Sequence, residues 1–260
     1  MRNVRAETFD ATPRDVIATG NDYAPHYVLP AHTHRRGQLL YASTGVFTTI
    51  TSEGSWVVPP RRAVWIPPGV THEVQMGGPV STRSAFVTPE AAQQAGLPTR
   101  CQVVGVSPLL HELLLEAVDL PAEYDLYGRD GRVMALLLDE IRRMPVLPLS
   151  TPLPREKRLA ALCRELLEQP TQEVKIDDMA NRAGMSRRHF TRTFREETGM
   201  SFTAWRQQAC LLSALTRLSN GEAITQVAVD LGYGNPSAFT AAFRRVLGMA
   251  PSRYLATPVG

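Results

Sequence analysis

Two groups of side chains in this 260-residue sequence have types and spacings that could do chemistry. The first is rich in imidazole: His32-Thr33-His34, then Gln38, with a third imidazole at His72 behind the turn-forming run Pro67-Pro68-Gly69-Val70-Thr71. In a strand, residues i and i+2 point to the same face, so His32 and His34 are expected to project together. With His72 and the Gln38 carboxamide they make a donor set that could hold a divalent metal or line a ligand pocket. The second group is rich in guanidinium: Arg187, Arg188, Thr191, Arg192 and Arg195, interleaved with Phe190 and Phe194. Phenylalanines four apart share the inner face of a helix, which leaves the arginines and Thr191 outside. Guanidinium forks match phosphate oxygens and guanine edges, so this outer face suits double-stranded DNA.

The elements needed to present those arginines can be read locally. Ile176, Met179, Ala180 and Ala183 fall at i, i+3, i+4 and i+7, one apolar face of a short helix. Gly184 supplies the positive φ at which a helix stops, and Ser186 is a good N-cap for the next one. Short helix, tight turn and Arg-faced helix describe a helix-turn-helix over about 176–198. The pattern then recurs. Ile224, Val227, Ala228, Leu231 and Gly232 repeat the first helix and its stop at an offset of 48. At an offset of 49, Phe239, Phe243, Gly248 and Tyr254 answer Phe190, Phe194, Gly199 and Trp205, which sets a second unit at about 224–247. Asn235-Pro236 is an N-cap followed by proline at N1. A long helix opening at Ser201 and stopping near Gly221 joins the copies. At roughly 17 residues and about 25 Å, it could set two recognition helices in successive major grooves about 34 Å apart.

Upstream, Pro145-Val-Leu-Pro-Leu-Ser-Thr-Pro-Leu-Pro154 has four prolines in ten residues and is expected to be an extended linker. Charge changes sign across it. Residues 155–260 carry 15 Arg and Lys against 10 Asp and Glu, and residues 1–154 carry 13 against 15. The basic surplus therefore sits with the helix-turn-helix pair, where phosphate contact needs it.

Residues 1–25 read as a polar lead-in, and from Tyr27 to about Val87 short β-branched runs alternate with turns, the mark of an all-β unit. Tyr41, Trp56 and Trp65 are candidate walls of an effector pocket that also takes in His32, His34, Gln38 and His72. Residues 88–100 read as a loop with one helical turn. Two helices follow, 107–120 and 131–144, with more leucine than one buried face needs, which points to docking on the barrel and to a homodimer interface. His111 lies among those leucines without an evident partner and is expected to be structural. The imidazole spacing resembles the cupin double-stranded β-helix, whose two motifs align with His32, His34, Gln38 and Gly45, and with Pro67, Gly69 and His72. Gln38 stands where that pattern has Glu, and Met76 where it often has Asn. A neutral Gln is the poorer ligand, so the resemblance implies the barrel more firmly than a divalent metal in it.

Residues 157–255 resemble the DNA-binding domain of the AraC/XylS transcription regulators, through ANRAGMSRRHFTRTFREETGMSFTAW and DLGYGNPSAFTAAFRRVLGMAPSRY. With a cupin-type sensor in front, the likeness extends to the branch of nitroimidazole-resistance regulators. It implies base-edge contacts at Arg188, Thr191 and Arg192 in the first unit and at Ser237, Thr240 and Ala241 in the second, with Arg244 and Arg245 on phosphate. Because Ala241 has no hydrogen-bonding group, the first unit is expected to carry most direct readout. The fold class expected is therefore two-domain: residues 1–90 a cupin-like sensor, 91–144 a helical dimerisation or docking region, 145–154 the linker, and 155–260 an all-α DNA-binding domain. The function expected is a small-molecule-controlled regulator, usually an activator in this family, working with RNA polymerase. The alternatives are a metal-dependent cupin enzyme or a metal sensor fused to a DNA-binding domain.

Three scattered cysteines (Cys101, Cys163, Cys210) suit reduced thiols better than disulfides or zinc. The polar N-terminus lacks the apolar stretch of a signal peptide and no run approaches the length of a membrane span, so a cytoplasmic location without membrane contact is expected.

Overall fold

Short apolar runs broken by turns fold the first part of the chain into strands. In the computed structural model, which describes residues 6–9 and 11–256, these are β1 (Val16–Tyr23), β2 (Val28–His32), β3 (Gly37–Thr44), β4 (Phe47–Thr51), β5 (Gly54–Val58), β6 (Arg62–Ile66), β7 (His72–Met76) and β8 (Val80–Val87). After them come α1 (Pro89–Gln94), β9 (Gln102–Gly105), α2 (Pro108–Asp119), α3 (Arg129–Arg143) and β10 (Val146–Leu147). The chain divides into two units: residues up to 51 together with 56–148, and residues 52–55 together with 149 onward.

The first unit holds a sheet of order β1-β8-β3-β6-β9-β10 and a second of order β5-β4-β7-β2. The ladders are antiparallel: Gln38 pairs Phe86 and Ile66, Leu39 pairs Ala85 and Trp65. β3 is buried from Gly37 to Ser43, so both of its faces are covered and alternation sorts its residues. Leu39 and Tyr41 pack with Ala63, Trp65, Ala85 and Val87 against Leu110, Leu114 and Val118 of α2 and Leu137 and Ile141 of α3. Gln38 faces the other way, where its amide meets Ser84 Oγ at 3.0 Å.

Two expectations change here. Residues 16–23 are not a polar lead-in but a buried strand laid along β8 from Val16↔Val87 to Tyr23↔Val80. The Pro-rich linker is extended but carries two short strands, β10 paired with β9 and β11 (Ser150–Pro152). Both are edge strands, where a missing proline N–H costs no ladder bond. The division between units falls inside this stretch, at 148/149.

In the second unit Leu153 N–H donates to Glu53 O at 2.8 Å, and β11 lies next to the start of β5 in the sheet order. The remainder is helical: α4 (Lys157–Glu168), α5 (Ile176–Arg182), α6 (Arg187–Thr198), α7 (Phe202–Ser219), α8 (Ile224–Asp230), α9 (Pro236–Leu247) and α10 (Pro251–Ala256). α7 spans about 27 Å at 1.5 Å per residue. Phe190, Phe194, Phe202 and Trp205 are almost wholly buried together and hold α6 against α7. Trp205 Nε1 donates to Pro152 O at 2.7 Å, and the Gln208 amide to Ser150 O, which tie β11 to α7. No helix among the described residues is long and apolar enough to cross a membrane.

Candidate functional site

The two helix-turn-helix units share their hydrogen bonds as well as their residues. After α5, Gly184 adopts φ +68, its N–H bonds Asn181 O at 3.0 Å, and Met185 N–H bonds Ala180 O at 2.9 Å. After α8, Gly232 adopts φ +75 and bonds Val229 O at 2.9 Å, while Tyr233 N–H bonds Ala228 O at 3.0 Å. This is the same left-handed helix stop twice. Ser186 then caps α6 by accepting from His189 N–H at 3.3 Å, and Asn235 caps α9 by accepting from Ala238 N–H at 2.8 Å. Phe194 meets Trp205 edge-on at 5.9 Å, and Phe243 meets Tyr254 edge-on at 5.7 Å.

With the phenylalanines inside, Arg187, Arg188, Thr191, Arg192 and Arg195 are all exposed on α6. They are not equally available. Arg187 is held by both oxygens of Asp177, at 3.0 and 3.2 Å, and the Thr191 hydroxyl donates to Arg187 O at 2.8 Å. Arg192 lies 3.3 Å from His189 Nδ1, which makes His189 a neighbour of the outer face. Arg188 and Arg195 have no ion pair among the described residues, so their charge is uncompensated. On α9, Ser237, Ala241, Arg244 and Arg245 are exposed and Thr240 is half-buried. Arg217, near the end of α7, belongs to the scaffold instead. It donates to Glu222 and Asp230, which raises its own pKa and lowers that of Asp230.

The imidazoles of the first unit also converge, though not quite as a strand would have them. β2 ends at His32, which pairs with His72 across a register shift, and His34 lies in the loop beyond. The turn Pro67-Pro68-Gly69-Val70 closes with a 3.3 Å bond from Val70 N–H to Pro67 O, and Gly69 takes φ +76. Gly69 N–H donates to His34 O at 3.1 Å, so the two histidine segments are fastened through backbone. The rings of His32 and His72 stand 4.3 Å apart and those of His34 and His72 5.0 Å, while Phe86 meets His34 edge-on at 5.4 Å.

Each imidazole is oriented in the same manner. Nδ1 faces a backbone carbonyl: Pro30 O for His32 at 2.8 Å, Arg36 O for His34 at 2.5 Å, Val70 O for His72 at 2.9 Å. A carbonyl only accepts, so in His32 and His72 Nδ1 carries the proton and Nε2 bears the lone pair, whereas His34 faces an acceptor oxygen at both ring nitrogens, Arg36 O at Nδ1 and Gln38 Oε1 at Nε2. Burial pushes the His72 pKa down to about 4, which keeps that ring neutral near pH 7. His72 Nε2 is buried with no hydrogen-bond partner, while His34 Nε2 lies 3.1 Å from Gln38 Oε1. One ring nitrogen from each of the three lies within 4.8 Å of the others.

The candidate pocket loses two of its walls. Tyr41 and Trp65 lie on the sheet face opposite Gln38, packed with α2 and α3. Trp65 Nε1 donates to Pro98 O at 2.8 Å, and Tyr41 Oη shares a 2.7 Å hydrogen bond with Nδ1 of His111, a partner not evident from the sequence. Trp56 is buried in β5 on the side of Gly54 and Val58. Met76 is buried beside Phe47 in the β4–β7 ladder.

A family profile described as a helix-turn-helix domain matches residues 179–257. The HTH-type transcriptional regulator NimR of Escherichia coli K12 is 34% identical over 227 residues, covering 87% of this chain and 82% of its own. The regulatory protein SoxS of the same organism is 33% identical over 97 residues, 37% of this chain and 88% of its own. Among solved structures, ToxT from Vibrio cholerae aligns over 95% of this chain and all of its own at 11% identity and a TM-score of 0.40. The DNA-binding domain of AdpA, in complex with a target DNA, aligns over 38% of this chain and 90% of its own at 34% identity and a TM-score of 0.37.

Proposed function

The chain belongs to the AraC/XylS family of helix-turn-helix transcription regulators, DNA-binding proteins rather than enzymes, and from that premise we propose that it is an activator controlled by a small molecule in its N-terminal barrel. The observation that carries the DNA side is the repeated stop-and-cap geometry at Gly184–Ser186 and Gly232–Asn235, which holds two recognition helices outward from one scaffold. Arg188, Thr191 and Arg192 read base edges, Ser237 and Thr240 contribute less, and Arg195, Arg244 and Arg245 hold phosphate. Arg187, already engaged by Asp177, serves backbone contact at most.

The effector reading is supported by polar groups gathered where apolar strands surround them: His32, His34, Gln38 and His72, one of them with an unsatisfied buried nitrogen. A ligand that satisfies that nitrogen binds one arrangement of the chain better than another and so shifts its equilibrium on DNA. Leu109 on α2 and Leu136 on α3 remain exposed, and a homodimer would cover them. Activation through RNA polymerase follows the habit of the family.

Hydroxyl-radical footprinting on the operator tests the reading. Two protected segments centred about 10 base pairs apart are expected from a single chain; one short segment would refute the bipartite reader. Operator affinity that no barrel substitution and no ligand alters would refute control through the barrel.

A further inference from the structure

Resting on the two-unit reader proposed above, we infer that the turn between α4 and α5 is a clasp that fixes the angle between the two recognition helices. Arg206 and Gly232 are its positioning residues, and through them it sets the half-site spacing that the chain accepts. α7 alone does not fix that angle. The second unit follows it across residues 220–223, where Gly221 takes φ +85, and apolar packing on a helix is non-directional. The Arg217 pairs at that end are part-exposed, where solvent weakens them.

The clasp is directional on both sides. Towards the second unit, Gln172 N–H donates to Leu231 O at 2.9 Å, a carbonyl at the end of α8 that its own helix does not pair. Gly232 makes this approach possible: a Cβ there would stand 2.8 Å from Thr171 Oγ1, 3.0 Å from Glu173 Cγ and 3.2 Å from Gln172 N. At its counterpart Gly184, a Cβ would meet only the Arg158 guanidinium among the described residues, at 3.4 Å, so the close fit belongs to one copy of the repeat. Towards α7, Arg206 donates through Nη1 to Val174 O, and its guanidinium lies over the Phe202 ring at 5.8 Å. The clasp is also shut off from solvent. Gln172 Nε2, Arg206 Nε and Tyr233 Oη are all buried there, so a backbone group pulled from its partner finds no water in exchange. Sliding one unit against the other therefore carries a cost that apolar surfaces alone would not impose.

The test uses the full-length chain and a duplex that it selects from a random-sequence pool, resynthesised with one base pair added or removed between the two protected segments. Each base pair turns the second groove by about 35°. The native chain should bind the altered spacings at least about tenfold more weakly than the selected one. Arg206→Met keeps an apolar stem beside Phe202 and removes the bond to Val174, and Gly232→Ala wedges the clasp open. Each should narrow that ratio to about threefold. Gly184→Ala carries the same left-handed backbone without the wedge, so it should lower affinity for all three duplexes and leave the ratio unchanged. A merely structural role would give that same result in every variant. Native ratios in both Arg206→Met and Gly232→Ala would therefore overturn the clasp and leave the two-unit reader standing; should Gly232→Ala not fold, Arg206→Met decides. A native chain with no preference among the spacings overturns the clasp together with that reader.

Discussion

Tyr41 Oη and His111 Nδ1 lie 2.7 Å apart, buried between the first sheet and α2. A barrel strand and a helix are thereby joined by a polar bond within an apolar layer, where such bonds are costly to leave half-made. Tyr41→Phe is expected to lower stability by about 1–3 kcal/mol, because it strands the imidazole nitrogen. Replacing both, as Tyr41→Phe with His111→Leu, should cost less than the two single changes added together. Urea denaturation of the four proteins measures that coupling, and strict additivity would mean the bond contributes nothing.

On DNA, Arg192→Ala should cost about 1–3 kcal/mol of specific affinity and relax preference at one or two base pairs. Arg244→Ala should weaken binding evenly across sequences and reduce the salt slope by about 1. Binding titrations against single-base operator variants, repeated at several salt concentrations, separate the roles. Equal effects from the two substitutions would contradict the division between base and phosphate contacts.

The two helix stops should differ in tolerance. Gly184→Ala places a Cβ 3.4 Å from the Arg158 guanidinium, a contact a mobile side chain can yield. Its cost should be about 1–2 kcal/mol, the left-handed penalty alone. Gly232→Ala adds a Cβ 2.8 Å from Thr171 Oγ1 and 3.2 Å from Gln172 N, so it should cost distinctly more. Thermal denaturation of the pair would settle the order.

Thiol chemistry offers a check on burial. Burial pushes Cys163 up to about 12 and Cys210 up to about 11. The thiolate is the reactive form, and a raised pKa lowers its fraction at any pH below that value. Native protein alkylated at pH 8 should therefore keep both thiols unmodified, and unfolding should expose them. Peptide mapping that finds Cys163 or Cys210 labelled in the native state would contradict the packing.

What could be read from sequence follows from distance along the chain. The helix-turn-helix units were legible because their caps, glycine stops and phenylalanine pairs are local signals repeated at a fixed offset. The three histidines were legible as a cluster through their turn residues, but the carbonyls that orient them were not. Tyr41 and Trp65 read as pocket walls because β3 and β6 are buried on both faces, which weakens the alternation that tells one face from the other. Their face is chosen by α2 and α3, which lie more than forty residues further on in the sequence. β1 was missed for a related reason: its partner β8 begins beyond residue 79, and nothing local announces a pairing of that range.

The repeated unit carries Arg192 in its first copy and Ala241 in its second, in an order set by the polypeptide. Two identical helices related by a twofold axis read a palindrome and cannot tell upstream from downstream. A chain with unlike halves has a front and a back. Turning its site round in front of a gene turns the bound chain round with it, so the site states an orientation as well as an address.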